Sequence, residues 1–284
     1  MTRVRLPASA KINLDLRVGA RRPDGYHEIR TVFQTLALHD TVIVERAVGP
    51  FALDGDPASM PLDRTNLVWR AAEALWRAAG RAGAPRGARV RVIKRVPALA
   101  GLGGGSSDAA AALVGLSRVW RIPDRLQDLR LVAEGLGADV PFFLVGGTAL
   151  GLGRGEQLYP LVDRTPQIVL LAVPPFGIST ADAYRWLAQD RRRPGRPIDT
   201  GPEPRNDLEA SVFARHPAIR RLHAALVRAG ATSARMSGSG SAVFGLFPTE
   251  LAARRAAAGL AAGGMSVWLT RTRPRTPAEK RRLA

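Results

Sequence analysis

Gly101-Leu-Gly-Gly-Gly-Ser-Ser-Asp108 is the stretch on which the reading of this 284-residue chain turns. Four of its first five residues are glycine, two hydroxyls follow, and an Ala-rich run to about Trp120 predicts a helix directly behind it. Glycine lets the backbone approach an anion closely, and the unpaired N–H groups of a helix N-terminus point at it. A simple cap would need only one of Ser106, Ser107 or Asp108. The segment therefore reads as a phosphate cradle. Arg89 to Val96 alternates just before it, with Val90, Val92 and Lys94 on one face, so the cradle links a strand to a helix.

The common nucleotide motifs do not fit. No Gly-Lys-[Ser/Thr] follows, as a P-loop requires, and Ser106 stands where a dinucleotide fingerprint needs its third glycine. His-Arg-Asp and Asp-Phe-Gly, the marks of protein kinases, occur nowhere.

Three further segments carry chemistry. Pro7-Ala-Ser-Ala-Lys-Ile-Asn-Leu14 opens an alternating strand, in which Ile12, Leu14, Leu16 and Val18 share one face and Lys11 and Asn13 the other. A lysine suits a developing anion, although on spacing alone an edge-strand lysine in solvent is the commoner case. Gly135-Leu-Gly-Ala-Asp-Val-Pro-Phe-Phe-Leu144 sets Asp139 among apolar residues, as a desolvated base or as a helix cap. Met236-Ser-Gly-Ser-Gly-Ser-Ala-Val-Phe244 is a hairpin turn or a second glycine loop closing over a site. Arg21-Arg-Pro-Asp-Gly-Tyr-His27 reads as a turn.

Composition bounds the remainder. The chain has no cysteine, which excludes disulfides, thiol nucleophiles and Cys-based metal sites, and its four histidines are scattered. The longest charge-free stretch, 165–181, is 17 residues long and interrupted by prolines, too short to span a bilayer. The N-terminus has no continuous apolar run of the signal-peptide kind, so a cytoplasmic protein without a membrane segment is expected. Net charge is +18, but only Lys11, Lys94 and Lys280 are lysines, a bias that genome composition explains as readily as a binding surface. A basic nucleic-acid-binding protein would draw on that charge, on the Arg191-Arg-Arg run and on the basic tail. Such a protein needs clustered charge with interleaved aromatics, and aromatics are only 6% here.

Two α+β domains meeting near residue 160 are expected: 1–160 with the nucleotide motif, 161–270 with the second glycine loop. Helices are expected at 66–79, from Pro123 to about 135, and at 180–190, 206–214, 217–229 and 249–262. Strands are expected at 41–46, 167–173, 234–247 (interrupted by the turn) and 265–270. The tail 271–284, with six basic residues and one acid, is expected to be mobile.

The four chemical segments, in this order from about Pro7 to Phe247, resemble the GHMP superfamily of small-molecule kinases (galactokinase, homoserine kinase, mevalonate kinase, phosphomevalonate kinase). The Ala10-Lys11-Ile12-Asn13 core and the 21–27 turn are similar to the branch whose acceptor is a cytidine-diphosphate-linked methylerythritol, made for isoprenoid precursors by the non-mevalonate route. Ser9 replaces the branch's usual proline, and Leu99 stands where it generally has Gly or Ala. The resemblance implies an N-terminal domain like the second domain of ribosomal protein S5, then a ferredoxin-like C-terminal domain. It implies phosphoryl transfer from ATP with Mg²⁺ to a tertiary hydroxyl, Asp139 acting as base and Lys11 stabilising charge. Gly101, Leu102, Gly103, Gly104, Gly105, Ser106 and Ser107 would hold the ATP phosphates. Asn66, Leu67 and the segment from Lys94 to Pro97 would line the adenine. Asn13, Tyr26 and His27 would bind the cytidine side, with Thr180 as a substrate contact and Tyr184 as the aromatic opposite Tyr26. It leaves the metal ligands open and allows a monomer or a homodimer. A sister kinase with a different acceptor would have no use for Tyr26 and His27.

Overall fold

The computed structural model describes residues 3–123, 125–190 and 201–283, so the Arg191-Arg-Arg run lies outside the described residues. Two long strands, β1 (Arg3–Arg21) and β2 (His27–Pro50), form the spine, an antiparallel hairpin turned by residues 22–26. The free edge of β2 is shared. Its first half pairs with β5 (Thr148–Leu152), and its second half with β4 (Arg86–Ile93). Short strands β3 (Ala52–Asp54) and β6 (Gln157–Pro160) close the two ends of this six-stranded sheet.

Helices α1 (Leu67–Ala78), α2 (Gly104–Trp120), α3 (Leu126–Glu134) and α4 (Val140–Val145) accompany it. Helix α2 is the central one. Thirteen of its seventeen residues are buried, and its run of small alanines lets it press against the sheet. Its apolar surface joins Val42, Val44, Val90 and Val92 of the sheet and Leu75 and Trp76 of α1 in one core.

The second sheet has the order β10-β7-β9-β8, all antiparallel. Its strands are β7 (Ile168–Val173), β8 (Ser233–Met236), β9 (Val243–Phe247) and β10 (Ser266–Arg271). Helices α5 (Thr180–Asp190), α6 (Glu209–Arg215) and α7 (Pro217–Arg228) lie between β7 and β8, and α8 (Glu250–Ala262) between β9 and β10. Strand, helices, strand, strand, helix, strand is the ferredoxin-like order. A third apolar cluster joins the sheets: Ala10, Ile12 and Leu36 of the spine meet Val169, Leu171 and Phe244, with Ala100 and Leu102 of the glycine loop between them. The first sheet ends at Pro160 and the second begins at Ile168.

The alternation of β1 has an unexpected outcome. Ile12, Leu16 and Val18 are buried, and so are Lys11, Asn13, Asp15 and Arg17 on the opposite face. The second domain covers that polar face. Arg17 donates to both Asp15 oxygens and to the carbonyls of Gly201 and Glu203, and Arg205 N donates to Asp15 Oδ1 (3.0 Å). Lysine 11 is not an edge residue in solvent.

The tail expected to be mobile has regular structure: residues 272–283 run back onto the first sheet and end in helix α9 (Pro277–Leu283). Arg273 N donates to Thr35 O (2.8 Å), and the Arg273 guanidinium pairs with the buried Glu279 (2.8 Å). Arg275 is nearly enclosed, paired with Asp163 (2.8 Å) and donating to the carbonyls of Leu161 and Thr148. Arg273 and Arg275 find buried or half-buried acceptors, which composition alone does not reveal. Removing one partner of such a pair leaves the other unsatisfied. Arg275→Ala is expected to lower stability by about 3 kcal/mol, read as a shift of the urea midpoint at unchanged slope.

Candidate active site

A cleft of about 1240 Å³ opens between the two sheets, bounded by β1, the 21–27 turn, the glycine loop, the start of α5 and Gly238-Ser239. Lys11 stands at its centre. The Lys11 N–H donates to Leu102 O (2.9 Å), fastening strand to loop. Its ammonium donates to Asn13 Oδ1 (2.7 Å), lies 3.4 Å from Asp139 Oδ2 and 5.5 Å from the centre of the Phe33 ring. A hydrogen-bond chain orients the Asn13 amide: its Nδ2 donates to Thr31 Oγ1 (2.7 Å), and that hydroxyl donates to Asp15 O (2.7 Å). The Asn13 oxygen is thereby turned toward Lys11.

Asp139 occupies the N-cap position of α4, but its side chain makes no capping bond, and Pro141 removes one N–H that would need a partner. The carboxylate points instead to Lys11, about one-third exposed in the cleft.

Helix α2 begins after Gly103, in the left-handed conformation (φ 73°), with no side-chain cap and no acid in its first turn. Its first N–H groups are left for an anion, with the helix dipole adding attraction. Neither serine nor Asp108 caps it. Gly101 (φ +75°) cannot be replaced without displacement, because a Cβ there would lie 2.1 Å from Ser237 O. The 237–241 hairpin turn is packed onto the loop: Ser237 Oγ donates to Gly101 O (2.9 Å), and Ala242 N to Ala100 O (3.1 Å). Both readings of the second glycine segment hold, as it is a hairpin turn that also walls the cleft. Leu99 takes a left-handed conformation (φ 53°) and is exposed at the rim, a backbone position that favours glycine.

Gly101, Leu102, Gly103, Gly104, Gly105 and Ser106 line the cleft, whereas Ser107 is buried in α2 and does not. The Ser107 N–H is already engaged, donating to Gly103 O (2.9 Å). Asn66 and Leu67 line the far end. Asn66 also caps α1, accepting from Val68 N (2.8 Å) and donating to Pro61 O (2.7 Å).

Pro97 lines the rim, but Lys94 does more than border the cleft. Its ammonium is shared between the buried carboxylates of Asp40 and Asp108 (2.7 Å to the latter). Asp40 also accepts from the backbone N–H groups of Arg95 and Val96. Burial disfavours the Lys94 charge, yet the two acids outweigh it and its pKa is raised. Burial, with Asp40 adding repulsion against the pull of Lys94, lifts the Asp108 carboxyl to about 7. Sequence reasoning missed Asp40, 54 residues from Lys94, and saw Asp108 only as a cap.

At the other end lie Asn13, Tyr26, His27, Thr180 and Tyr184, all lining the same cleft. Tyr26 is exposed, with the Arg154 guanidinium 5.0 Å from its ring centre. The rings of His27 and Tyr184 stack at 5.4 Å and 25°, and His27 Nδ1 lies 3.3 Å from Gly19 O. Tyr184 therefore rests on the His27 ring while lining the same cleft as Tyr26. Burial, and then the charge of Asp139, push the Tyr184 hydroxyl pKa up. Thr180 Oγ1 is 3.0 Å from Ser239 Oγ.

Comparison with known proteins agrees with this architecture. Residues 66–147 match the GHMP kinases N terminal domain, and residues 184–264 match GHMP kinases C terminal. The chain belongs to the GHMP kinases. Its relatives include the 4-diphosphocytidyl-2-C-methyl-D-erythritol kinase of Pelotomaculum thermopropionicum, 43% identical over 93% of this chain and 96% of that one. The protein of the same name from Anaeromyxobacter dehalogenans is 46% identical over 95% of this chain and 91% of that one. A crystal structure of 4-(cytidine 5'-diphospho)-2C-methyl-D-erythritol kinase covers 95% of this chain and 99% of its own, with a TM-score of 0.79 at 36% identity. Mevalonate kinase from Methanococcus jannaschii shares the fold alone, at 10% identity and a TM-score of 0.71 over 95% of this chain and 98% of that one. Among the described residues no helix is long and apolar enough to cross a membrane.

Asp108 gives the site a pH signature. A carboxyl whose folded pKa exceeds its unfolded value binds extra protons in the native state between about pH 4 and pH 7. Its contribution to stability therefore declines as pH rises through that window. Asp108→Asn carries no titrating group there. The stability of this variant relative to the parent is expected to increase between about pH 5 and about pH 8, measured by urea midpoints at each pH.

Proposed function

We propose that this chain transfers the γ-phosphoryl group of ATP to the 2-hydroxyl of 4-diphosphocytidyl-2-C-methyl-D-erythritol. The observation that carries the mechanism is the 3.4 Å pairing of Asp139 with a buried Lys11 beside an uncapped helix N-terminus. The ATP phosphates rest on the N–H groups of the 101–106 loop, with the adenine toward Asn66, Leu67 and Pro97. The acceptor lies at the opposite end, its cytosine among Tyr26, His27 and Tyr184. Its hydroxyl then meets both Asp139 and the terminal phosphate.

As the acceptor oxygen bonds to the γ-phosphorus and the bond to the β-phosphate oxygen breaks, the hydroxyl proton passes to Asp139. Lys11 offsets the charge that develops on the transferring group and, held by Asn13, needs no rearrangement to do so. Among the described residues no group of three His, Cys, Asp or Glu could hold a metal ion unaided. One oxygen of Asp139 and the Ser106 hydroxyl are nonetheless oxygen donors at the loop, a set that fits Mg²⁺, which retains water and phosphate ligands. Bound there, Mg²⁺ would neutralise charge on the β- and γ-phosphates.

ADP release measured with the cytidine-linked acceptor, homoserine and mevalonate in parallel tests the assignment; turnover is expected with the first alone, and its absence would refute the reading. In that assay Asp139→Asn should lose about 10²- to 10⁴-fold in kcat while its affinity for ADP stays within about twofold of the parent. Tyr26→Ala should raise the acceptor KM about tenfold and leave the ATP KM in place. A rise confined to the ATP constant would put cytosine at the wrong end of the cleft.

A further inference from the structure

Residues 205–209 lie outside every motif singled out above, yet they join the two walls of the acceptor end. On one side they dock against β1 just beyond Lys11 and Asn13. Leu16 N donates to Arg205 O (2.7 Å), Asp207 N donates to Leu16 O (2.9 Å), and Val18 N donates to Asp207 Oδ2 (2.9 Å). Leu16 and Asn206 thus form a parallel bridge. On the other side the segment holds the start of the 237–241 turn. The buried Asn206 amide donates to Met236 O (2.9 Å) and Gly238 O (2.8 Å), while its oxygen accepts from Leu208 N (3.0 Å). Glu209 Oε1 accepts from Met236 N (2.7 Å).

Gly238 is the point of the turn nearest the reacting groups. It has a positive φ (+56°), and a Cβ there would lie 3.3 Å from Lys11 Nζ and 3.4 Å from Asn13 Oδ1. Ser237 and Ala242 tie the turn to the glycine loop, and on the β1 side its Gly238 carbonyl is held by the Asn206 side chain, whose two N–H groups and one oxygen are all engaged. Only a primary amide supplies two donors and an acceptor in that plane.

We propose that Asn206 is a positioning residue for phosphoryl transfer: it holds Gly238-Ser239 at a fixed distance from Lys11 and Asn13, so that the acceptor hydroxyl, rather than water, meets the γ-phosphate. This inference rests on the functional reading above. Asn206→Asp has the same shape but turns an acceptor toward the carbonyls of Met236 and Gly238, which pushes the turn away. An acceptor displaced by a fraction of an ångström loses rate steeply.

The measurement is the ratio of ADP released to acceptor phosphorylated, taken with purified full-length protein, ATP·Mg²⁺ and the cytidine-linked acceptor, beside ADP affinity by calorimetry. The parent's turnover of the acceptor tests the function. The ratio in the variant tests this residue. In Asn206→Asp, acceptor phosphorylation is expected to fall by about tenfold or more, the ratio to rise severalfold, and ADP affinity to stay within about twofold. Asn206→Ser, which removes the amide without adding charge, should shift the ratio in the same direction and decides the matter if the Asp variant does not fold. A ratio equal to the parent's, with both products falling in parallel, would overturn the proposal and leave Asn206 a purely structural clamp.

Discussion

An ammonium group removed from water must be given partners, and the burial of Lys11 imposes that requirement on three separate parts of the chain. Asn13 supplies an oxygen from the same strand, Asp139 a carboxylate from the start of α4, and Leu102 fixes the backbone beneath. Meeting this need brings the phosphate loop, the acid and the spine strand to one place. The polar face of β1 continues the logic through Asp15 and Arg17, which pair with each other and are completed by Arg30 and by backbone groups beyond position 200. The two sheets, already joined by an apolar cluster, are thus also tied together by polar groups that β1 buries against the second domain.

Charge is distributed with comparable economy around the nucleotide end. The first turn of α2 carries no acid, so its N–H groups and dipole face the cleft unopposed. The negative charge nearby is drawn behind the loop, where Lys94 is shared by Asp40 and Asp108. A carboxyl lifted to about 7 at that position carries less negative charge near neutral pH than a free aspartate would. The arrangement ties the end of β4, the middle of β2 and the body of α2 together directly under the cradle. A rigid floor of this kind suits a reaction in which the protein contributes placement and electrostatics more than covalent chemistry.

Much of this was legible in the residues. Alternation predicted β1, the Ala-rich run predicted α2, and the glycine-rich loop between strand and helix pointed to an anion site, all from local physics. Long-range facts were not legible. The alternation of β1 could say which residues share a face but not that both faces are covered, because the cover comes from residues some 190 positions away. The second half of β2, after its residues 36–38 bulge toward the other sheet, offered a clear run at 41–46, whereas 27–40 mixes both periods and escaped notice. Helix α4 is too short for periodicity to register, and its Pro-Phe-Phe sequence reads as an apolar run of any kind. The roles of Tyr26 and His27 came from resemblance alone; as bare residues they are part of a turn. The packing of the tail was not legible because composition counts its arginines and cannot see the carbonyls and acids that receive Arg273 and Arg275.

That tail has a bearing on how the protein is made. Arg275 completes hydrogen bonds around Thr148 and Leu161, at the edge of the first sheet. Arg275 follows the last strand of the second sheet in sequence. The domain synthesised first therefore reaches its final form only once the other has been made, and the order of synthesis and the order of completion run in opposite directions.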